Sequence, residues 1–288
     1  MIQRKTPAFS LTLRSSRILG FLLLIGLAGG LSACQSGGVY QDVPIDKAAG
    51  SAANIDSLTA VIESNPNDAN AYNTRGIAYG QAGKLNKALE DFNTALKLNP
   101  RSYQTYTNRA LVFRRQGQTQ AAIADYTRAI NIKPDYDAAY VGRGNAYRTQ
   151  GQYPAALADF NSVIARNSGD ARAFYNRGLI YQAQSQHTQA IEDFATAIGL
   201  NPSVSEPYTA RGISYLAVND PNAAFSDLSM AVNLDKRSSV AWANRGVALE
   251  LLGKPTDAQR NYNKALNLDN SNTLAREGLA RVNKAKRS

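Results

Sequence analysis

Few residues in this chain are placed to do chemistry. Cys34 is the single cysteine among 288 residues, so no intramolecular disulfide can form and its thiol is left for another use. His187 is the single histidine, with no second one to build a metal site or a catalytic triad, and it reads as a surface residue in a turn beside Ser185. The third set is periodic. Arg75, Arg109, Arg143, Arg177, Arg211 and Arg245 recur every 34 residues, and Asp91, Asp125, Asp159, Asp193 and Asp227, then Asn261, recur in step with them. Such arginines could form a ladder of anion sites. A matching aspartate for nearly every arginine points instead to compensated charge, so structural pairing is the expectation. An enzyme would need an acid–base pair or a metal cluster in a pocket. The regular positions here are accounted for by packing, so the expectation is no catalysis, no catalytic residue, no bound metal, no cofactor and no small-molecule substrate.

The segment that must position Cys34 is the N-terminus. Residues 1–17 are polar and basic, and residues 18–33 are uncharged and apolar, ending Leu31-Ser32-Ala33-Cys34. A membrane-spanning helix needs about 20 apolar residues, and this run is shorter. It fits the apolar core of a secretory signal, with basic residues before it and small ones after. No Arg-Arg pair precedes it. The run resembles the lipobox of bacterial lipoproteins. That resemblance implies cleavage of 1–33, a diacylglyceryl group on the Cys34 sulfur, and an acyl chain such as palmitate on the new amino end. Two or more acyl chains make a stable anchor. Gln35, rather than Asp, follows the cysteine. By the same resemblance this implies the outer membrane, facing the periplasm. Residues 34–52 carry much Gly, Ser and Ala and read as a flexible tether spanning roughly 20–25 Å.

The remainder is built on one period. Stepping by 34 from Gly76 gives Ala110, Gly144, Gly178, Gly212 and Gly246; from Ala88 it gives alanine every time; from Phe92 it gives Tyr126, Phe160, Phe194, Leu228 and Tyr262. From Tyr72 it gives Tyr106, Tyr140, Phe174, Tyr208 and Trp242, and from Ala95 it gives Ala129, Val163, Ala197, Ala231 and Ala265. Small residues at two fixed places let a pair of helices pack closely, with aromatic residues filling the spaces between. Gly83, Gly117, Gly151 and Gly253 fall where a left-handed cap would end the first helix, with Ser185 and Asn219 in their place in two units. This pattern resembles the tetratricopeptide repeat, whose unit is two antiparallel helices. The resemblance implies an all-α, right-handed superhelical solenoid with repeats at 69–102, 103–136, 137–170, 171–204, 205–238 and 239–272. A half-repeat at 53–68 and a basic capping helix at 273–288 would cover its two ends.

The net charge of +10 falls to +6 once Arg4, Lys5, Arg14 and Arg17 are removed with the signal, a mild bias that does not point to nucleic acid. In tetratricopeptide proteins the first helices line a concave groove. Carried onto this chain, the groove positions hold Arg114, Arg115, Asn145, Arg148 and Arg172 with Tyr175 beside them, then Ile213, Leu216, Val247 and Leu251 with Glu206 and Glu250. A basic stretch followed by an apolar one suits an extended, acidic peptide or another protein. The lysine that some relatives use to grip a chain terminus is missing, since its place holds Asn73, Thr107, Val141, Tyr175, Thr209 and Ala243. The functional expectation is a membrane-anchored scaffold of the bacterial cell envelope supporting cell-wall or outer-membrane assembly. The alternative is a pilotin-like accessory lipoprotein for pilus or secretin assembly.

Overall fold

The computed structural model describes residues 51–166 and 169–285. Cys34, the signal segment, the tether as far as residue 50 and the last three residues of the expected capping helix lie outside the described residues. Within them the chain forms fourteen α-helices and no strand. They are α1 (Ala52–Ser64), α2 (Ala69–Gln81), α3 (Leu85–Leu98), α4 (Tyr103–Arg115), α5 (Thr119–Ile132), α6 (Asp137–Thr149) and α7 (Tyr153–Ala165), followed by α8 (Ala171–Ala183), α9 (His187–Leu200), α10 (Ser205–Ala217), α11 (Pro221–Leu234), α12 (Ser239–Leu251), α13 (Pro255–Leu268) and α14 (Thr273–Ala285). Consecutive helices from α2 to α13 pair as six hairpins stacked into a tetratricopeptide superhelix, with α1 packed on α2 and α14 on both α12 and α13.

The second helices show why the pattern folds this way. In α3, Ala88, Phe92, Ala95 and Leu96 recur at intervals of three and four, and all are buried on one face. Phe92 lies over the small residue of its own first helix: a Cβ added to Gly76 would stand 2.7 Å from the ring. Phe160 over Gly144, Phe194 over Gly178 and Leu228 over Gly212 repeat that distance of 2.7 Å. These side chains are 0–1% exposed, and truncating any of the rings to alanine would cost about 3–5 kcal/mol. In the second repeat the small residue is Ala110, which shares a core cluster with Tyr126, and the Tyr126 ring also crowds Gly142 of the following hairpin. The ring thus adds to the contact between repeats.

The turn inside each hairpin is set by backbone conformation. Gly83, Gly117, Gly151 and Gly253 have φ of +74°, +74°, +71° and +70°, and a side chain there would meet nothing within 4 Å. Space is open, so glycine serves the left-handed backbone alone. Ser185 and Asn219 hold the same conformation, each at φ 60°. The hydrogen bond that closes the turn is kept, with Gln186 N donating to Tyr181 O at 2.8 Å and Asp220 N to Tyr215 O at 2.9 Å. The fold therefore keeps the turn at Asn219, which tolerates this conformation, and imposes it on Ser185, which does not favour it.

At the C-terminal end Tyr262 is fully buried against Gly246. Its hydroxyl donates to Glu250 Oε2 at 2.7 Å, and Arg281 of α14 donates to both Glu250 oxygens at 3.0 Å. Burial first, and the Glu250 bond second, push the Tyr262 pKa up. This triad ties the last helix to the sixth hairpin. His187 is half-buried at the first position of α9 rather than exposed in the turn before it, and burial lowers its pKa.

Candidate functional site

The arginine ladder forms. Arg75, Arg109, Arg143, Arg177 and Arg211 each grip the aspartate of the same hairpin with two parallel bonds, through Nε and Nη2, at 2.6–2.9 Å. The aspartate side chains are 2–9% exposed and the arginines 14–20%. Pairing of this geometry offsets the cost of withdrawing both charges from water. Each guanidinium also lies between two rings of its first helix, as Arg143 does between Tyr140 at 5.8 Å and Tyr147 at 5.9 Å. The periodic aromatic residues of the first helices therefore flank a cation as well as fill space.

A third arm of the ladder escaped the sequence reading. Nη1 reaches back to the second helix of the preceding unit: Arg75 to Thr59 at 3.1 Å, Arg109 to Asn93 at 2.6 Å, Arg143 to Thr127 at 3.0 Å and Arg177 to Asn161 at 2.7 Å. A short polar residue recurring every 34 positions was the available signal. The bonds end after Asn161: Ala195 has no polar side chain, and the Ser229 Oγ is buried without a hydrogen-bond partner.

The groove is a cavity of about 240 Å³ with walls from α2, α4, α6 and α8. Ile77, Leu111 and Val141 give it apolar surface, Arg114, Arg115 and Arg172 give it charge, and none of its lining residues is acidic. Arg115 Nη1 donates to the Gly80 carbonyl at 3.3 Å, which holds it toward the first repeat. Arg172 is gripped by Asp170 at 2.9 Å and 2.6 Å, so its charge is largely answered within α8 and its cap. The hydrogen bond to Asp170 raises its pKa against the opposing effect of burial.

The other three expected groove residues do not line the cavity. Asn145 is 1% exposed, and neither atom of its amide has a hydrogen-bond partner. Tyr175 is 7% exposed and packs on Phe194 with ring centroids 5.9 Å apart, which makes its ring part of the core. Arg148 is half-buried; its Nε is buried without a partner, and burial, aided by the charge of Arg114, lowers its pKa. In their place Asn108, Gly142 and Gln81 line the cavity. Asn108 and Gly142 occupy a helix position one residue beyond those the family pattern emphasises.

Farther along, Leu251 is 53% and Val240 39% exposed. Glu250 is committed to Tyr262 and Arg281, which leaves this stretch more apolar than its sequence suggests. Among the described residues no group of three His, Cys, Asp or Glu could hold a metal ion, and no helix is long and apolar enough to cross a membrane.

Comparison with known proteins agrees with this geometry. Residues 69–102, 141–205 and 239–272 each match a model described as tetratricopeptide repeat, as do 92–124, and 110–151 matches one described as TPR repeat. No curated protein matches the chain. Among solved structures, one chain of the APC/C hetero-tetramer Cut9-Hcn1 is 18% identical with a TM-score of 0.73; the match covers 82% of this chain and only 47% of that one. Pseudomonas aeruginosa pilF is 17% identical with a TM-score of 0.68, over 74% of this chain and 97% of that chain. YrrB, described as a TPR protein with an unusual peptide-binding site, is 22% identical with a TM-score of 0.53, over 66% and 97%. At these identities the likeness is one of fold. The matched segments together span residues 69–205 and 239–272, more than half of the 288, and the chain belongs to the tetratricopeptide-repeat proteins.

Proposed function

We propose that this chain is a lipid-anchored scaffold of a bacterial cell envelope, which holds a partner protein in its groove and catalyses nothing. Tetratricopeptide folds bind other proteins and peptides. The observation that carries the present reading is the cavity between α2 and α8, basic and apolar by turns and lined by no acidic residue. An extended partner segment with carboxylates for Arg114 and Arg115 and apolar side chains for Ile77, Leu111 and Val141 complements it. YrrB, described as having a peptide-binding site, shares the fold and supports the reading by analogy.

The anchor rests on the sequence before residue 35. Cys34 would carry the diacylglyceryl and acyl chains, with the domain facing the periplasm from the outer membrane. Labelling cells with a palmitate analogue tests this together with membrane fractionation. Wild-type protein is expected in the outer-membrane fraction with label. Cys34→Ser is expected to lose the label and leave that fraction, and a labelled Cys34→Ser protein would refute the assignment. A pilotin-like role in pilus or secretin assembly is the alternative; pilF has the same fold over 97% of its length. A secretin or pilin captured with the anchored protein would decide for it, and cell-wall enzymes or outer-membrane assembly factors for the envelope scaffold.

A further inference from the structure

Five rungs of the ladder close on a carboxylate, and the sixth does not. Arg245 meets an amide there, with Nε donating to Asn261 Oδ1 at 2.7 Å. The Asn261 amide nitrogen turns away to donate to the Asp257 carbonyl at 2.8 Å. Among the described residues Arg245 has no ion-pair partner, whereas each of the other five has its aspartate. The third arm is open as well. Ser229 stands where Thr59, Asn93, Thr127 and Asn161 accept Nη1 in earlier repeats, yet its Oγ is buried without a hydrogen-bond partner.

The guanidinium also stacks closely on its own first-helix ring. Its central carbon is 4.3 Å from the Trp242 ring, whereas in the closed rungs the corresponding first ring is 5.6–6.0 Å away. Burial lowers the Arg245 pKa, while in Arg75, Arg143, Arg177 and Arg211 the aspartate bond raises it. A half-buried cation with an unused donor edge and no counter-charge gains from any carboxylate that reaches it. Repetition of the motif names the ligand: in five other copies the corresponding helix pair holds a planar carboxylate against this arginine, and here Trp242 keeps the first flanking ring while Leu249 stands in place of the second.

We propose that Arg245, stacked on Trp242 of α12 and facing Asn261 of α13, is a second binding site that accepts an acidic side chain of a bound protein. The site lies outside the groove positions and stands independently of the groove reading.

Trp242 is the single tryptophan of the chain, so its emission reports directly on Arg245. The full-length protein in detergent micelles is titrated with N-acetylglutamate at constant ionic strength, balanced with chloride, and in a parallel arm with inorganic phosphate. A saturable change in emission is expected with N-acetylglutamate, half-complete at a concentration on the order of millimolar. Asn261→Asp closes the rung from within. It is expected to melt no lower than wild type and to weaken the response at least tenfold. An unresponsive wild type, or an equal response in Asn261→Asp, overturns the proposal. Saturation by phosphate at concentrations where N-acetylglutamate has no effect overturns the assignment to a carboxylate.

Discussion

Arg143 Nη1 donates to Thr127 Oγ1 at 3.0 Å, across the boundary between the second and third hairpins. The same guanidinium holds Asp159 of its own hairpin at 2.9 Å and 2.8 Å. One side chain therefore joins α5, α6 and α7. In a stacked array, stability is close to a sum of repeat terms and nearest-neighbour interface terms, and this bond belongs to the interface. Thr127→Val keeps the shape and removes the acceptor. It is expected to cost about 1 kcal/mol, with amide-exchange protection falling mainly at the α5–α6 seam. A loss spread evenly over all hairpins would argue against an interface role.

Removing the arginine itself is a different perturbation. In Arg143→Leu the Asp159 side chain, 6% exposed, loses its counter-charge. The expected cost is about 3 kcal/mol in urea unfolding. Replacing both partners, as Arg143→Leu with Asp159→Leu, should recover much of that. Partner binding should survive Arg143→Leu at permissive temperature. An unchanged melt with binding lost would convert the ladder from a structural device into a recognition surface.

Ser185 offers a gain. It holds φ 60° where four other repeats use glycine. A left-handed residue with a Cβ costs roughly 1–2 kcal/mol, offset in part by the greater freedom of glycine in the unfolded chain. Ser185→Gly is therefore expected to stabilise by about 0.5–1 kcal/mol, seen as a higher urea midpoint. Asn219→Gly should gain less, because asparagine tolerates this conformation better. A destabilised Ser185→Gly would mean that the side chain makes a compensating contact.

Much of this architecture was legible in the residues. Periodic small and aromatic positions at Gly76, Ala88 and Phe92 carry the hairpin packing, and the matched Arg75 and Asp91 series carries the ladder. The bond from Arg143 to Thr127 left only the recurrence of a short polar residue as its trace, because it joins residues in different repeats that no rule for a single hairpin pairs. The groove was legible in outline only. Position along a first helix says that Asn145 and Tyr175 face inward, but not that neighbouring side chains bury them to 1% and 7% exposure. Nor does it say that Asp170, the cap of α8, turns back to answer Arg172. Charge in a sequence is counted residue by residue, and its availability depends on which partner the fold brings within 3 Å.

The central claim is that a partner protein lies in the carboxylate-free groove. Site-specific photo-crosslinking in living cells tests it most directly, with the crosslinking residue placed at Leu111 inside the cavity and, for comparison, at Glu192 on the exposed face of α9. The expected result is a discrete protein adduct from position 111, lost when Arg114 and Arg115 are changed to glutamate, and no such adduct from position 192. An adduct formed from position 192 alone, or one at position 111 indifferent to the charge reversal, would contradict the groove as the site of recognition.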